Sequence, residues 1–474
     1  MNSEEFRKYA HELVDWMADY LDEIESYPVK SQSKPGEILH NLPVHPPRDG
    51  EPFEKIFRDF QEVILPGITH WQHPKFFAYF PANSSRISVL AEMLTATLGA
   101  QCMSWITSPA ATELEERVMQ WLREMIGLPE SFTGVIQDTA STATICALLT
   151  AREKHSDFQI NKKGLYTHRK HIVYCSTESH SSIEKAVKVI GLGSANLRKI
   201  PVDDTYAIAP GRLHNQIDDD IDKGYIPLAV VAALGTTGST AIDSIKKLGD
   251  ITEKYSLWLH VDAAYAGTAV VLPEYRWMID GIKHVDSFVF NPHKWMFTNF
   301  DCSAYFVQDP DALVRTFEIL PEYLKTNDEK PVKNYRDWGL QLGRRFRALK
   351  LWFVIRNYGI AGLQNKIRHH ISMAQELART IDNSTEFELM APVPLNTVCF
   401  RYHPDGIDDP EKLDEINEEL LEHLNASGKM FATHTRLSGI YVIRLVIGQT
   451  EVEERHVNET WEFICETIEL IESV

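Results

Sequence analysis

Residues 258–267 read WLHVDAAYAG, an apolar run that ends in an acidic residue and continues into small residues. The run has the length and composition of a buried strand, with Asp262 at its carboxyl end. In open α/β sheets, ligands bind outside the carboxyl ends of the strands, so residues that directly follow a strand are candidates for function. This segment therefore predicts an α/β fold and the edge of the sheet at which a site lies.

Similar runs lie on both sides of this segment. From Ser84 to Tyr358, short β-rich runs alternate with helical stretches, which predicts a mostly parallel sheet with crossover helices. After a long helical region over residues 345–381, the pattern changes to that of a small α+β domain with helices over 410–424 and 452–471. The candidate strands are Thr133–Gln137, His171–Cys175, Leu228–Leu234, Leu257–Val261, Ser287–Phe290, Thr397–Tyr402, Lys429–His434 and Gly439–Val446.

The N-terminal region has a different pattern. Residues 4–25 carry apolar side chains at helical spacing, which predicts an amphipathic helix that seeks a partner. Five prolines over residues 35–52 favour an extended segment after this helix. An arm that reaches over a neighbouring subunit is one explanation.

Composition and charge narrow the class of protein. A chain of 474 residues with 44% hydrophobic residues can bury a large core, and we expect two or three domains. A net charge of -19 argues against nucleic acid and anionic membrane partners. No run approaches the roughly 20 apolar residues of a membrane span. The six cysteines form no CxxC pair, which is typical of reduced core thiols, and we predict a cytoplasmic location.

Small hydroxyl residues follow the first of these strands. The segment 137–141 reads QDTAS and precedes a helix expected over residues 142–153. Backbone N–H groups at a helix start, together with the helix dipole, favour a phosphate group. Plain capping of the helix by Thr139 or Ser141 is the alternative.

A histidine follows the second strand. In the segment 178–184, which reads ESHSSIE, Ser181 and Glu184 fit a capping box that places His180 just before a helix. His180 could stack on a flat heteroaromatic ring or transfer protons, although a lone histidine is more often structural.

An acidic residue follows the fourth of these strands, and a lysine follows the fifth. A carboxylate at Asp262 can pair with a pyridinium N–H and keep the ring protonated, and Ala264 would leave room for that ring. A metal ligand or a helix cap is the alternative for Asp262. Lys294, in the segment FVFNPHKW over residues 288–295, lies among aromatic residues, and partial desolvation suits Schiff-base formation.

These segments resemble the group II pyridoxal-phosphate-dependent decarboxylases, and within them the aromatic-L-amino-acid decarboxylases. The resemblance runs almost from end to end of the chain. It is densest at His70–Trp71, Phe76–Pro81, Ser108–Ala110, Thr112–Glu115, His260–Gly267, Asn291–Trp295, Asp301–Ala304 and Gly343–Arg347.

The resemblance implies fold type I of the pyridoxal-phosphate-dependent transferases and an obligate homodimer. The expected parts are an N-terminal helical arm over residues 1–84, a large cofactor domain over 85–370 and a small C-terminal α+β domain over 371–474. The large domain would hold a mostly parallel seven-stranded sheet with helices on both faces.

The resemblance also implies roles for individual residues. Lys294 would hold pyridoxal 5'-phosphate as a Schiff base, Asp262 would bind its ring nitrogen, and His180 would stack over the ring. Tyr323 would protonate the carbanion left by the loss of carbon dioxide. Ala264 and Thr237 would lie beside the cofactor, and the phosphate contacts would come from Ala140, Ser141, Asn291 and His293.

The substrate is expected to be an aromatic L-amino acid of the tryptophan, phenylalanine or tyrosine type. Mammalian relatives carry threonine at the position of Ala82 and phenylalanine at that of Met103, and the histidine-specific branch has serine at that of Gly343. We therefore expect tryptophan or phenylalanine-like rings to be preferred over dihydroxyphenylalanine, and histidine to be disfavoured. Asp138, where glycine is common, has no explanation in the sequence. The substrate-binding residues are expected to be Trp71, Tyr79, Phe80, Pro81, Ala82, Met103, Thr237 and Gly343.

Other classes share part of this pattern. An aminotransferase would share Asp262 and Lys294, but it normally needs an arginine clamp for the carboxylate and has no need of Tyr323. In aldehyde synthases, phenylalanine at the tyrosine position leads to oxidative deamination. A non-catalytic scaffold would not be expected to keep every matched group. A metal hydrolase that uses Asp262, His260 and His293 lacks a compact ligand spacing, and we predict no metal site.

Overall fold

The computed structural model describes residues 1–165, 169–319 and 332–472. The helices are α1 (Ser3–Asp22), α2 (Glu37–Asn41), α3 (Phe53–Asp59), α4 (Arg86–Leu98), α5 (Pro109–Met125), α6 (Ala140–His155), α7 (Ile160–Lys163), α8 (Ser182–Val189), α9 (Pro210–Asp222), α10 (Ile245–Tyr255), α11 (Pro292–Trp295), α12 (Pro310–Phe317), α13 (Arg347–Asp382), α14 (Pro410–Ala426) and α15 (Glu454–Glu472). The strands are β1 (Thr133–Gln137), β2 (His171–Ser176), β3 (Leu197–Ile200), β4 (Ile226–Ala233), β5 (Trp258–Asp262), β6 (Ser287–Phe290), β7 (Ser303–Val307), β8 (Phe387–Leu389), β9 (Thr397–Tyr402), β10 (Thr433–Leu437) and β11 (Ile440–Val446).

The large sheet has seven strands in the order β1-β7-β6-β5-β4-β2-β3. Strands β3, β2, β4, β5 and β6 run parallel, and β7 is antiparallel to both of its neighbours, β6 and β1. Strand β1 therefore points the same way as β6. The predicted mostly parallel seven-stranded sheet is confirmed, and the five candidate strands of this region match β1, β2, β4, β5 and β6 within two residues.

The strands of this sheet are apolar because they are buried in the core. Every residue of β5 is buried, as expected for a central parallel strand that is covered on both faces. Helix α6 contacts β4, β5, β6 and β7, and its Ala143 and Ala147 join a buried cluster with Val289 and Tyr305. Small residues on α6 allow this close approach between the helix and the sheet.

Contacts group the chain into two compact units. The first unit comprises residues 1–81, 376–390 and 399–474, and the second comprises 82–375 and 391–398. The seven-stranded sheet belongs to the second unit. The other sheet, with the order β10-β11-β9-β8, is antiparallel and belongs to the first unit apart from the start of β9.

Two local predictions differ from the structure. The proline-containing segment over residues 35–52 is not wholly extended, because α2 forms within it. The strand expected over Lys429–His434 begins only at Thr433, because the backbone of Phe431 bonds to Lys75 and Phe77 instead of to a strand of the small sheet. The other C-terminal strands and helices lie within two residues of their predicted positions.

Two further observations concern the whole described chain. All six cysteines are free thiols and five of them are buried, as predicted. Across residues 1–165, 169–319 and 332–472, no helix is both long enough and apolar enough to cross a membrane.

Candidate active site

Five strand ends meet at one edge of the seven-stranded sheet. Because β1, β2, β4, β5 and β6 run in the same direction, the residues after them lie along the same carboxyl edge. This topology brings together all of the cofactor residues expected from the sequence. Those residues are Ala140 and Ser141 after β1, His180 after β2, Thr237 after β4, Asp262 and Ala264 at the end of β5, and Asn291, His293 and Lys294 after β6.

The turn after β1 offers donors to an anion. Helix α6 begins at Ala140, two residues earlier than predicted, and Thr139 caps it by accepting the Thr142 N–H. The N–H groups of Ala140 and Ser141 have no hydrogen-bond partner within the part of the chain that the structure describes. Both roles considered for this turn are therefore compatible, since Thr139 caps the helix and two N–H groups stay free.

His180 is held by the start of the helix that follows it. Its Nδ1 lies 3.1 Å from the Ser182 backbone nitrogen, which donates to it, and 2.8 Å from Ser182 Oγ. The predicted capping box is wrong, because the Ser181 side chain makes no capping bond and Glu184 pairs with Lys188 instead. With Nδ1 accepting a hydrogen bond, neutral His180 carries its proton on Nε2.

The pKa of His180 reports on its charged neighbours. Burial lowers this pKa below its usual value, the carboxylate of Asp262 raises it, and the ammonium of Lys294 lowers it further. The three side chains therefore share one electrostatic environment, although they follow different strands. At neutral pH the lowered pKa keeps His180 uncharged.

Asp262 lies at the end of β5 and is 9% exposed. Its Oδ1 accepts the Ala264 N–H at 3.1 Å. Two residues earlier on the same face of the strand, His260 is fully buried between Ser287 Oγ at 2.9 Å and Thr144 Oγ1 at 3.4 Å. Burial lowers the pKa of His260 to about 4, so it lies uncharged beneath Asp262.

Lys294 lies in the short helix α11 and is half-buried. Asn83 Nδ2 donates to the Lys294 carbonyl oxygen at 2.6 Å, a contact that the sequence did not predict. The neighbouring His293 accepts the Cys302 N–H at its Nδ1, and burial together with the charge of Lys294 lowers its pKa to about 3. Asn291 Oδ1 accepts from Ser303 Oγ at 2.7 Å, so the side chains of His293 and Asn291 both have fixed orientations.

Thr237 lies in the turn after β4 and is exposed. The turn is compact because Gly235 has a φ of 82°, and a Cβ there would lie 2.6 Å from the Cβ of Ala266. Only glycine fits this approach of β4 to the segment after β5. Thr237 is thereby held at the same carboxyl edge as Asp262.

The predicted substrate residues fall into two groups. Trp71, Tyr79, Phe80 and Pro81 belong to the first unit, where the Trp71 and Tyr79 rings stack at 5.8 Å and Arg444 lies 4.7 Å from the centre of the Phe80 ring. The second unit holds the other four, Ala82, Met103, Thr237 and Gly343. Tyr323 lies outside the described residues.

Within the second unit, Met103 and Gly343 belong to adjoining segments. The Cys102 N–H donates to the Arg344 carbonyl oxygen, and Gln101 Oε1 accepts the Arg344 N–H at 2.7 Å. A Cβ built at Gly343 would lie 3.4 Å from Gln101 Nε2. Two of the predicted substrate positions are therefore each one residue away from a backbone hydrogen bond that joins these segments.

The donor set at the carboxyl edge fits pyridoxal 5'-phosphate. Free N–H groups at the start of α6 suit its phosphate, the Asp262 carboxylate suits a protonated ring nitrogen, and Lys294 supplies a primary amine. This combination on a mostly parallel sheet defines a pyridoxal-phosphate-dependent enzyme of fold type I.

Comparison with known proteins identifies the family. Residues 35–403 match the family model described as the pyridoxal-dependent decarboxylase conserved domain, and the chain belongs to this family. It is similar to tyrosine decarboxylase 4 of Petroselinum crispum, with 42% identity over 98% of this chain and 93% of that protein. It is also similar to phenylacetaldehyde synthase of a Rosa hybrid cultivar, with 41% identity over 98% and 94% of the two chains.

A solved structure extends the likeness to the fold. The crystal structure of Oryza sativa TDC with PLP and tryptamine superposes with a TM-score of 0.96, at 36% identity and with 99% of each chain covered. Family membership identifies the cofactor as pyridoxal 5'-phosphate and the enzyme class as a carboxy-lyase.

Proposed function

We propose that this chain decarboxylates aromatic L-amino acids to the corresponding arylalkylamines and carbon dioxide. The observation that carries the proposal is the convergence of Lys294, Asp262, His180 and the start of α6 at one edge of the sheet. Relatives of similar length that are named as tyrosine and tryptophan decarboxylases support the aromatic substrate class.

Each residue of this set has a separate task. Lys294 would attach the cofactor through its amine, and Asp262 would keep the ring nitrogen protonated. The phosphate would be bound by Ala140, Ser141, Asn291 and His293, and the ring would be lined by Ala264 and Thr237. When bound, the protonated cofactor ring withdraws electrons from the substrate Cα, which weakens the bond to its carboxylate.

The reaction exchanges a carboxylate for a proton. The bond between Cα and the carboxyl carbon breaks, carbon dioxide leaves, and a proton is added to Cα. We propose Tyr323 as the source of this proton. His180 would stack over the ring and would offer Nε2–H as a donor, because Nδ1 is already bonded to Ser182.

We propose as substrate-binding residues Trp71, Tyr79, Phe80 and Pro81 of the first unit, and Ala82, Met103 and Gly343 of the second unit. Gly343 has no side chain, and Met103 is a flexible filler that adapts to different ring shapes. We therefore propose that tryptophan and phenylalanine-like rings are preferred. Steady-state kinetics on tryptophan, phenylalanine, tyrosine, dihydroxyphenylalanine and histidine test this preference, and a clear preference for either of the last two would contradict it.

A second candidate activity is aldehyde formation, because a phenylacetaldehyde synthase is as similar to this chain as the decarboxylases are. Retention of Tyr323 favours the plain decarboxylase. The deciding experiment incubates the enzyme with each amino acid in air and quantifies carbon dioxide, amine, aldehyde and hydrogen peroxide. Amine and carbon dioxide in equal amounts support the proposal, whereas aldehyde with peroxide would replace it by the second activity.

Two variants accompany this assay. Lys294→Ala should abolish turnover while the protein stays folded, and Tyr323→Phe should divert products from amine toward aldehyde. A Tyr323→Phe enzyme that makes only amine would remove Tyr323 from the proposed mechanism.

We also propose that the chain acts as a homodimer. Helix α4 leaves four apolar side chains, Leu90, Met93, Leu94 and Leu98, about half exposed at helical spacing, a surface that a second copy would cover. Light scattering should give the mass of a dimer for the wild type and of a monomer for the double variant Leu94→Glu and Leu98→Glu. Val189→Glu on α8, which changes an equally exposed residue, should stay dimeric. A monomeric wild type would contradict the proposal.

The division into an arm (1–84), a cofactor domain (85–370) and a C-terminal domain (371–474) also stays a proposal. So does a cytoplasmic location, which the six free thiols support.

A further inference from the structure

Asp138 lies between β1 and residues 139–141, the turn that is proposed to bind the cofactor phosphate and that we call the phosphate turn. Its Oδ1 accepts the Thr139 N–H at 2.7 Å, and its Oδ2 accepts the side-chain amide of Gln341 at 2.7 Å. Its backbone oxygen lies 3.2 Å from Ser303 Oγ. The carboxylate therefore joins two segments that are 203 positions apart in the sequence.

The end of β1 holds the segment 338–344 at three successive residues. Ile136 accepts from Arg344 through its carbonyl oxygen at 2.7 Å, Gln137 donates to the Trp338 carbonyl oxygen at 3.0 Å, and Asp138 bonds to Gln341. Gly343, a proposed substrate residue, lies between Gln341 and Arg344 in this segment, which we call the substrate wall. The position of that wall therefore depends on the end of β1.

The Asp138 contact differs from the other two because it brings a negative charge close to the phosphate turn. Asp138 precedes Ala140 and Ser141 by only two and three residues, and their free N–H groups are the proposed phosphate donors. A carboxylate near a phosphate repels it, so the charge of Asp138 would lower cofactor affinity. A carboxylate also accepts two hydrogen bonds more strongly than a neutral group does, so the same charge strengthens the bond to Gln341.

A cation nearby offsets part of this charge. Burial alone would lower the pKa of Arg347, but its hydrogen bonds to Asp301 raise it, and the charge of Asp138 adds to the rise. Arg347 is already paired with Asp301, with Nε and Oδ1 2.8 Å apart. Its positive charge is therefore shared between Asp301 and Asp138 and offsets the charge of Asp138 only in part.

We propose that Asp138 is a positioning residue that fixes the substrate wall through Gln341 at the cost of weaker binding of the cofactor phosphate. The wall is the segment 338–344, and its effect on substrate rests on the proposed aromatic decarboxylation. The effect on the cofactor does not depend on which substrate is used.

Three variants separate the two effects. Asp138→Asn removes the charge and keeps both hydrogen bonds once Gln341 turns its amide, whereas Asp138→Ala removes charge and bonds together. Gln341→Ala removes the bond and keeps the charge. For the wild type and each variant we would measure the dissociation constant of pyridoxal 5'-phosphate by absorbance and fluorescence. We would then measure kcat and KM for tryptophan with each holoenzyme.

Loss of the Asp138 charge and loss of its hydrogen bond to Gln341 predict different changes in cofactor affinity and in KM. Asp138→Asn and Asp138→Ala should both bind the cofactor about three- to tenfold more tightly than the wild type, while Gln341→Ala should not. Gln341→Ala and Asp138→Ala should both raise KM by about tenfold with kcat little changed, and Asp138→Asn should restore KM to near the wild-type value.

Several results would overturn the proposal. Unchanged cofactor affinity in both Asp138 variants would refute the charge effect, and unchanged KM in Gln341→Ala would refute the positioning effect. If the wild type released no carbon dioxide from any aromatic amino acid, the proposed function would fail while the cofactor measurements still decided the role of the charge.

Discussion

The side-chain amide of Asn83 donates a 2.6 Å hydrogen bond to the backbone carbonyl of Lys294. Helix α11 is only four residues long, so few intrahelical bonds fix the lysine. We predict that Asn83→Ala lowers kcat about tenfold, because the loss of such a bond costs about 1–2 kcal/mol of positioning. Absorbance of the bound cofactor should persist, and steady-state kinetics measure the effect.

A nearby residue gives the control for this variant. Ser85 Oγ donates to the Phe297 carbonyl oxygen at 2.7 Å, three residues beyond Lys294. Ser85→Ala should lower the free energy of unfolding and leave kcat within about twofold of the wild type. Equal loss of kcat in both variants would mean that Asn83 acts only through general stability.

The buried ion pair between Glu115 and Arg344 is expected to be essential for stability. Their side chains are 3% and 6% exposed and form two hydrogen bonds of 2.7 and 3.0 Å, and Glu115 also accepts the Ile136 N–H. Glu115→Gln should lower the free energy of unfolding by about 3–5 kcal/mol, because it leaves a buried guanidinium without its counter-charge. Chemical denaturation measures this loss.

An exposed pair provides the comparison. Arg368 and Glu274 also form two hydrogen bonds, but both side chains are nearly half exposed. Glu274→Gln should cost less than about 1 kcal/mol, because solvent screens the pair. A similar loss of unfolding free energy in Glu115→Gln and Glu274→Gln would contradict the prediction that burial makes the first ion pair more important for stability.

His260 should make stability depend on pH. Burial lowers its pKa to about 4 from a usual 6.5, so within this window the unfolded chain binds a proton that the folded chain does not. The contribution of His260 to the free energy of unfolding therefore falls as pH decreases, by about 1.4 kcal/mol per pH unit. His260→Gln should give a flatter profile between pH about 6.5 and about 5, measured by urea denaturation.

The quantity to compare is the difference in unfolding free energy between His260→Gln and the wild type at each pH. Asp243 acts with the opposite sign, because burial raises its pKa to about 6 and the folded chain takes up its proton first. His11→Gln, which changes an exposed histidine on α1, should keep the wild-type slope. An unchanged slope in His260→Gln would show that the folded protein admits the proton.

Much of the fold was predictable because its strands are continuous apolar runs. Strand β5 is buried at every position, and burial on both faces is what such a run indicates. Strand β3, with only Ile200 buried, and the short edge strand β8 give no such signal, and neither was among the candidates. Strand β7 was not among the candidates either, although every one of its residues is buried. Strand β10 was misplaced because Phe431 pairs with a distant segment, a tertiary preference that local pattern does not encode.

The residues of the site also divide into those that the sequence predicted and those that it did not. Asp262 is the last residue of one apolar strand and Lys294 lies in the short helix after another, so position alone marked them as candidates. Asn83 and Gln341 act through long-range hydrogen bonds, and their neighbours in the sequence carry no trace of the partner. The capping box at Ser181 failed because His180 Nδ1 accepts the first N–H of the helix instead. The roles of Tyr323 and of the substrate residues stay predictions.

Gly343 should limit the size of the substrate ring. Its φ is not in the left-handed region, and a Cβ would lie 3.4 Å from Gln101 Nε2, so a small side chain is tolerated. Gly343→Ser should therefore change the free energy of unfolding by less than about 0.5 kcal/mol. The added hydroxymethyl group would occupy space beside Gln101 that a bicyclic ring needs more than a monocyclic ring does.

The expected result is a loss of about tenfold in kcat/KM for tryptophan, with a smaller loss for tyrosine. Gly343→Ala separates volume from polarity: if space alone decides, alanine should produce a similar but smaller shift between the two substrates. A hydroxyl that bonds the phenol of tyrosine would instead make serine, and not alanine, raise kcat/KM for tyrosine. Equal losses on both substrates in both variants would place Gly343 away from the ring, because a residue that does not contact the ring cannot distinguish indole from phenol.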